Sequence, residues 1–70
     1  MSSDTMTILV NQVAHQLPAQ ATLLDAINAA GVTPPFAAAV NMQFVPRSAH
    51  ATHVLQPNDQ VELIAPITGG

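Results

Sequence analysis

The sequence predicts a single α+β domain in which a mixed sheet of four to five strands packs on one main helix. Three observations support this fold class. Short β-branched or apolar segments of strand length occur towards both ends of the chain, and one segment between them has helical spacing. A chain of 70 residues has room for only one small core, which a helix and a sheet can build together.

The first part of the domain predicts a β-hairpin. Residues 7–10 are β-branched or apolar, and residues 13–17 place Val, His and Leu at alternate positions, as strands do. Asn11-Gln12 between them has the composition of a two-residue turn. Pro18 then ends the second strand.

The next segment predicts the helix. Thr22 is a suitable N-cap and Asp25 follows three residues later, an acidic variant of the capping box. Gly31 supplies a left-handed C-cap. We expect the apolar stripe that faces the sheet to contain Leu23, Leu24, Ile27 and Ala30.

The second half of the chain predicts the remaining strands. Pro34-Pro35 leads into residues 36–40, an apolar run that we expect to be a central strand. Asn41-Met42 turns the chain into a short strand at residues 43–45, which Pro46 closes.

The last strand follows a long connection. Residues 47–55 have no clear period and predict a loop with a turn of helix, and residues 57–59 form a strong turn signal. In the strand after it, Val61, Leu63 and Ala65 are expected to face the core. The resulting order of hairpin, helix, strand, short strand, connection and final strand is that of the ubiquitin-like β-grasp fold.

Composition excludes several functions. Apolar residues make up 49% of the chain and charged residues 7%, which favours a folded domain over a disordered one. Arg47 is the only Lys or Arg and the net charge is −3, so nucleic-acid binding is not expected. There is no apolar run of membrane-spanning length and no secretion signal, and we expect a cytoplasmic protein without membrane contact.

The last two residues carry the main functional signal. Gly69-Gly70 follows directly on the predicted final strand, where glycine adds nothing to packing and increases chain freedom. We therefore divide the chain into a disordered leader (1–5), a domain (6–66) and a flexible tail (67–70). A tail of this composition, with Thr68 and Gly69 next to the end, can thread into a narrow enzyme channel and present the Gly70 carboxylate for activation.

Activation must come from another protein. The chain has no Gly-rich phosphate loop and no lysine, so it cannot form an acyl-adenylate by itself. It has no cysteine either, which excludes disulfides and thiolate chemistry. No paired carboxylates and no nucleophile with an evident base occur, so the chain is not expected to be an enzyme.

Three segments together resemble the ThiS family of thiamine-biosynthesis sulfur carriers: residues 39–47 (AVNMQFVPR), residues 53–61 (HVLQPNDQV) and the terminal Gly69-Gly70. The resemblance extends from about Met6 to the end of the chain. Three positions depart from the family pattern. Met42 and Asn58 stand where the family commonly has glycine, and His50 where it often has an aromatic residue.

The resemblance implies a cycle of reactions on the Gly70 carboxylate. A ThiF-like adenylyltransferase would use ATP to adenylate it, and a persulfide derived from a cysteine desulfurase would displace AMP and leave a thiocarboxylate. The sulfur would then pass to a ThiG-like thiazole synthase. In this cycle the chain is a carrier that acts as co-substrate of other enzymes and binds no cofactor itself.

Several side chains allow two interpretations. Phe44 and Ile64 form an apolar docking patch if their sheet face is open, and are core residues otherwise. Arg47 either docks a partner or braces the connection. His15 is expected to be packed or half-exposed, and His50 and His53 are interpreted as surface loop residues in preference to a metal site.

Two other functions share part of this sequence pattern. A MoaD-like carrier of molybdopterin synthase has the same tail chemistry and a different acceptor, but is typically longer. A ubiquitin-like modifier or interaction module would bind or tag proteins without carrying sulfur.

Overall fold

The computed structural model describes residues 4–65. Residues 1–3 and 66–70 lie outside the described part, and the latter include the predicted tail residues Thr68, Gly69 and Gly70. The elements are β1 (Thr5–Val10), β2 (Val13–Pro18), α1 (Leu23–Ala30), β3 (Ala37–Val40), β4 (Gln43–Val45), a 3-10 turn (Arg47–Ala49) and β5 (Gln60–Ile64). The single helix and the five-stranded mixed sheet confirm the predicted α+β, β-grasp fold.

The strand order in the sheet is β2-β1-β5-β3-β4. β1 and β5 are parallel, and the other neighbours are antiparallel. The prediction of a central strand at residues 36–40 is confirmed except at its first residue: β3 begins at Ala37 and has β4 and β5 as neighbours on its two sides. The middle position of the sheet itself belongs to β5, which the sequence pattern did not indicate. The physical reason is that the last strand inserts between the two hairpins, a long-range pairing that local sequence pattern does not encode.

Both predicted hairpin turns are confirmed. In each of them the two central residues have positive φ, with values of 49° and 69° at Asn11 and Gln12 and of 50° and 70° at Asn41 and Met42. These are the backbone requirements of a type I′ turn, whose twist matches the flanking strands. Asn58, in the predicted turn before β5, also has a φ of 70°. Met42 and Asn58 thus occupy left-handed positions, which explains why glycine is common there in the family that the motifs resemble.

The helix has the predicted caps. The Thr22 hydroxyl accepts a hydrogen bond from the Asp25 amide at 3.3 Å, and the Asp25 carboxylate accepts one from the Thr22 amide at 2.9 Å. Gly31 at the other end has a φ of 73°, and its N–H donates to the last turn of the helix. These contacts satisfy backbone groups that the helix leaves unpaired at its ends.

The face of the helix that packs on the sheet differs from the predicted stripe by one position. Leu23 and Ile27 are buried as expected, but Ala26 is buried in place of Leu24, which is exposed. The reason is helical geometry: positions 23, 26 and 27 lie on one face, whereas position 24 is rotated by about 100° from position 23.

The core fills the space between this helix and the inner face of the sheet. Val61 and Leu63 are buried as predicted, but Ala65 is exposed because it lies beyond the end of β5. The buried apolar residues are Met6, Ile8, Val10, Leu17, Ala21, Leu23, Ala26, Ile27, Ala38, Val40, Val45, Leu55, Val61 and Leu63. β1 begins one residue inside the segment predicted as a leader, since Thr5 pairs with Pro18 of β2.

Candidate functional site

The outer face of the sheet, opposite the helix, carries the large exposed apolar side chains of Phe44 and Ile64. Phe44 is 68% exposed and Ile64 is 59% exposed, so the interpretation that both are core residues is wrong. Phe44 pairs with Ala39, and Ile64 pairs with Ala37, so both flank β3 from neighbouring strands. Ala38, between these alanines in sequence, is buried on the other face. We call Ala37, Ala39, Phe44 and Ile64 the outer apolar face.

This face has a shape that suits protein docking. The short side chains of Ala37 and Ala39 lie in a row between the larger side chains of Phe44 and Ile64. With strands about 4.8 Å apart, the Cα atoms of the two larger residues are separated by roughly 12 Å. An exposed aromatic residue beside small side chains is a typical anchor of binding energy in a protein interface.

Glu62 adds negative charge to the same face. It lies on β5 opposite Ala39 and is exposed. A complementary surface would therefore combine apolar side chains with at least one basic group.

Arg47 lies in a different place from the outer apolar face. It is exposed and lines an open groove of about 280 Å³ beside α1, together with Leu24, Ile27, Val32 and Phe36 among others. The structure thus brings Phe44 and Ile64 to one surface and places Arg47 on another. Its role in docking or in bracing the connection stays a prediction.

His50 is buried, and its interpretation as a surface residue is wrong. Its Nε2 donates a hydrogen bond to the carbonyl oxygen of Val45 at 3.2 Å, and its ring stacks on Phe36 with centroids 6.0 Å apart. The imidazole is a flat ring that stacks as an aromatic side chain would, so histidine can take the place of the aromatic residue often seen at this position.

The other histidines are partly buried. His15 lies half-buried on β2, as expected, and His53 lies in a loop and is partly exposed, which agrees with its interpretation as a surface loop residue. Within residues 4–65, no three His, Cys, Asp or Glu side chains group closely enough to hold a metal ion. Over the same residues, no helix is both long and apolar enough to cross a membrane.

The start of β5 is held by a polar network that sequence reasoning missed. The Asn41 amide donates to Asp59 at 2.9 Å and accepts from the Gln60 backbone N–H at 3.0 Å, while Asp59 accepts from the Gln56 N–H at 2.8 Å. Asn41 and Asp59 both lie in the segments that resemble the family, residues 39–47 and 53–61. Their presence there is the one sequence feature that could have pointed to a role for these two side chains. Their pairing depends on the sheet order, which the motifs do not state.

The outer apolar face lies next to the place where the described chain ends. Ile64 is the last residue of β5, and Gly70 follows six positions later in the sequence. At an extended length of about 3.4 Å per residue, six residues reach at most roughly 20 Å. An enzyme that acted on the Gly70 carboxylate would therefore have to work within about 20 Å of Ile64. A partner docked on the outer apolar face meets this condition. The predicted roles of Thr68, Gly69 and Gly70 themselves fall outside the described residues.

Across residues 4–65, the mixed five-stranded sheet packed on one capped helix defines a ubiquitin-like β-grasp protein. Residues 4–70 match the model of the ThiS family, so the chain belongs to the ThiS family. This confirms the resemblance drawn from the sequence motifs.

A solved structure has the same fold. The chain is similar to the crystal structure of the thiamine biosynthesis protein ThiS from Geobacter metallireducens, with a TM-score of 0.76 and 19% sequence identity. The match covers 93% of this chain and 100% of that chain. No curated protein sequence matched the chain.

Proposed function

We propose that this chain is a sulfur carrier of thiamine biosynthesis, whose working group is the carboxylate of Gly70. The observation that carries the proposal is the match to the ThiS family over residues 4–70, which includes the terminal Gly69-Gly70. The exposed sheet face beside the end of β5 supports it, because a carrier has to dock on its enzymes close to the group that they modify.

The first step of the proposed cycle is activation by a ThiF-like adenylyltransferase. A Gly70 carboxylate oxygen attacks the α-phosphorus of ATP, pyrophosphate leaves, and an acyl-adenylate forms. Gly69 has no Cβ atom and the side chain of Thr68 is small, so we expect this segment to enter a narrow channel towards the nucleotide. ATP is thus used by the partner, and the carrier itself binds no cofactor.

The second step replaces oxygen by sulfur. A persulfide sulfur, derived from a cysteine desulfurase, attacks the activated carbonyl carbon and AMP leaves. A thiol then cleaves the sulfur–sulfur bond of the resulting acyl disulfide, which releases the thiocarboxylate. Thiocarboxylic acids are stronger acids than thiols, so the sulfur is anionic at neutral pH, which lets a chain without cysteine carry reactive sulfur.

The outer apolar face is the proposed docking surface for the activating enzyme and for a ThiG-like thiazole synthase. Phe44 and Ile64 supply apolar contact area, and Glu62 favours a basic group on the partner. Use of one face for both partners makes their binding mutually exclusive, so a carrier must leave the first enzyme before it delivers sulfur to the second.

The proposal is tested by the intact mass of the chain after co-expression with a ThiF-like enzyme and a sulfur source. We expect a mass increase equal to the replacement of one oxygen by sulfur. An increase equal to a second protein would indicate a ubiquitin-like modifier, and an unchanged mass would contradict activation. Purified thiocarboxylate should then support thiazole formation by thiazole synthase; sulfur transfer only to a molybdopterin precursor would assign the chain to the MoaD-like alternative.

A further inference from the structure

β5 extends beyond the strand that supports it on one side. β1 pairs with β5 only at Leu9 with Gln60 and at Val10 with Val61, and β1 then ends in its hairpin turn. β5 continues to Ile64, and on its other side β3 pairs with it as far as Ile64. The N–H and C=O of alternate strand residues point to opposite sides. Those of Leu63 therefore point to the side where β1 has already ended.

The side chain of Asn11 fills this position. Its Oδ1 accepts a hydrogen bond from the Leu63 N–H at 2.9 Å, and its Nδ2 donates one to the Leu63 carbonyl at 3.2 Å. The backbone N–H of Asn11 also donates to the Val61 carbonyl at 2.9 Å. The side-chain amide thus copies the donor and acceptor that a further strand residue would present, and it extends the pairing of β5 by two residues.

Asn11 can do this because of its backbone conformation. It is the first of the two central residues of the type I′ turn, with a φ of 49°, so its main chain already turns away from β5 while its side chain reaches Leu63. Asparagine tolerates this left-handed region better than most residues and carries one donor group and one acceptor in the same plane.

We propose that Asn11 is a positioning residue for the carboxyl-terminal segment: it fixes the direction in which the chain leaves the sheet. Leu63 is seven positions before Gly70. A small change in the direction of β5 at Leu63 therefore produces a larger displacement of the region that the terminal carboxylate can reach. This inference rests on the proposed function. When the carrier is docked, a fixed exit direction raises the fraction of time that the Gly70 carboxylate spends near ATP.

The chain contains a matched control for this idea. Asn41 has the same place in the second hairpin, a φ of 50°, and two side-chain hydrogen bonds around the beginning of β5. Its contact at Gln60 is three residues, about 10 Å, further from the tail than the Leu63 contact of Asn11. Loss of either amide removes two hydrogen bonds, but only the loss at Asn11 leaves the exit end of β5 paired on one side alone, with β3.

The test compares Asn11→Gly with Asn41→Gly in the full chain. Glycine accepts a positive φ without strain, so each variant removes the amide and leaves the turn intact. We expect kcat for adenylation by a ThiF-like enzyme, measured as pyrophosphate release, to fall roughly five- to tenfold in Asn11→Gly with KM unchanged. In Asn41→Gly we expect kcat to stay within about twofold of the wild type.

Amide hydrogen exchange tests the contact independently of any enzyme. Exchange at Leu63 should become faster in Asn11→Gly and remain unchanged in Asn41→Gly, with the remaining core amides protected in both. Equal effects of the two variants on kcat, or a normal kcat in Asn11→Gly despite fast exchange at Leu63, would overturn the positioning role while the proposed function stands. A wild-type chain that the enzyme does not adenylate would overturn both.

Discussion

Deletion of Gly70 is expected to abolish thiocarboxylate formation and to leave the free energy of unfolding unchanged. The described core and sheet are built from residues within 4–65, so we expect the domain to fold without Gly70. The deletion shortens the tail by about 3.4 Å and moves the carboxylate out of line with the α-phosphorus of ATP. Pyrophosphate release, intact mass and thermal unfolding measure these effects.

Two further changes at the end of the chain test the same prediction. Gly70→Ala keeps the carboxylate at its position and adds one Cβ atom, so adenylation should slow without disappearing. One alanine appended after Gly70 displaces the carboxylate in the opposite direction and should abolish the reaction as the deletion does. Full sulfur loading of the deletion variant, or a large loss of its thermal stability, would be inconsistent with a working group held apart from the folded domain.

Phe44→Asp is expected to weaken activation of the carrier strongly without unfolding it. Loss of an aromatic anchor from a protein interface typically costs about 2–4 kcal/mol, and a buried unpaired charge adds to this. The expected loss in kcat/KM with a ThiF-like enzyme is therefore roughly 30- to 1,000-fold, mainly through KM. The side chain is 68% exposed in the free protein, so the free energy of unfolding should change little.

Val13→Asp is the matched control for Phe44→Asp. Val13 is also an exposed apolar strand residue, at 59%, but it lies on β2, away from the outer apolar face. The same charge placed there should leave KM unchanged. An equal loss of activity in both variants would indicate a general effect of added negative charge, and would remove the argument for docking at Phe44.

Local features of this fold could be predicted from the sequence because they depend on near neighbours. The Thr22 and Asp25 capping box, the Gly31 cap and the two Asn turns each follow from the conformational preferences of a few adjacent residues. The exposed position of Phe44 could not be predicted in the same way. The alternation of a strand separates its residues into two faces, but it does not identify the face that packs on the helix.

The overall fold class could be predicted, but the contacts of individual residues that depend on long-range pairing could not. Because β5 inserts between the hairpins, the pairing of β5 determines where the sheet ends, and Ala65 lies beyond that end. The same insertion brings Asn11 into contact with Leu63, 52 positions away in the sequence. The burial of His50 likewise depends on the packing of Phe36 against it. As a result, the sequence led to the proposed docking residues Phe44 and Ile64, whose exposure the structure shows, but not to the polar side chains that hold the last strand in place.

The most direct test of the central claim is mass spectrometry of the carboxyl-terminal peptide from cells that produce this chain under thiamine limitation. We predict that part of the peptide carries one sulfur in place of one oxygen, and that fragmentation assigns the sulfur to Gly70. A peptide that remains entirely unmodified while the cells make thiamine, or a sulfur located on any other residue, would contradict the claim.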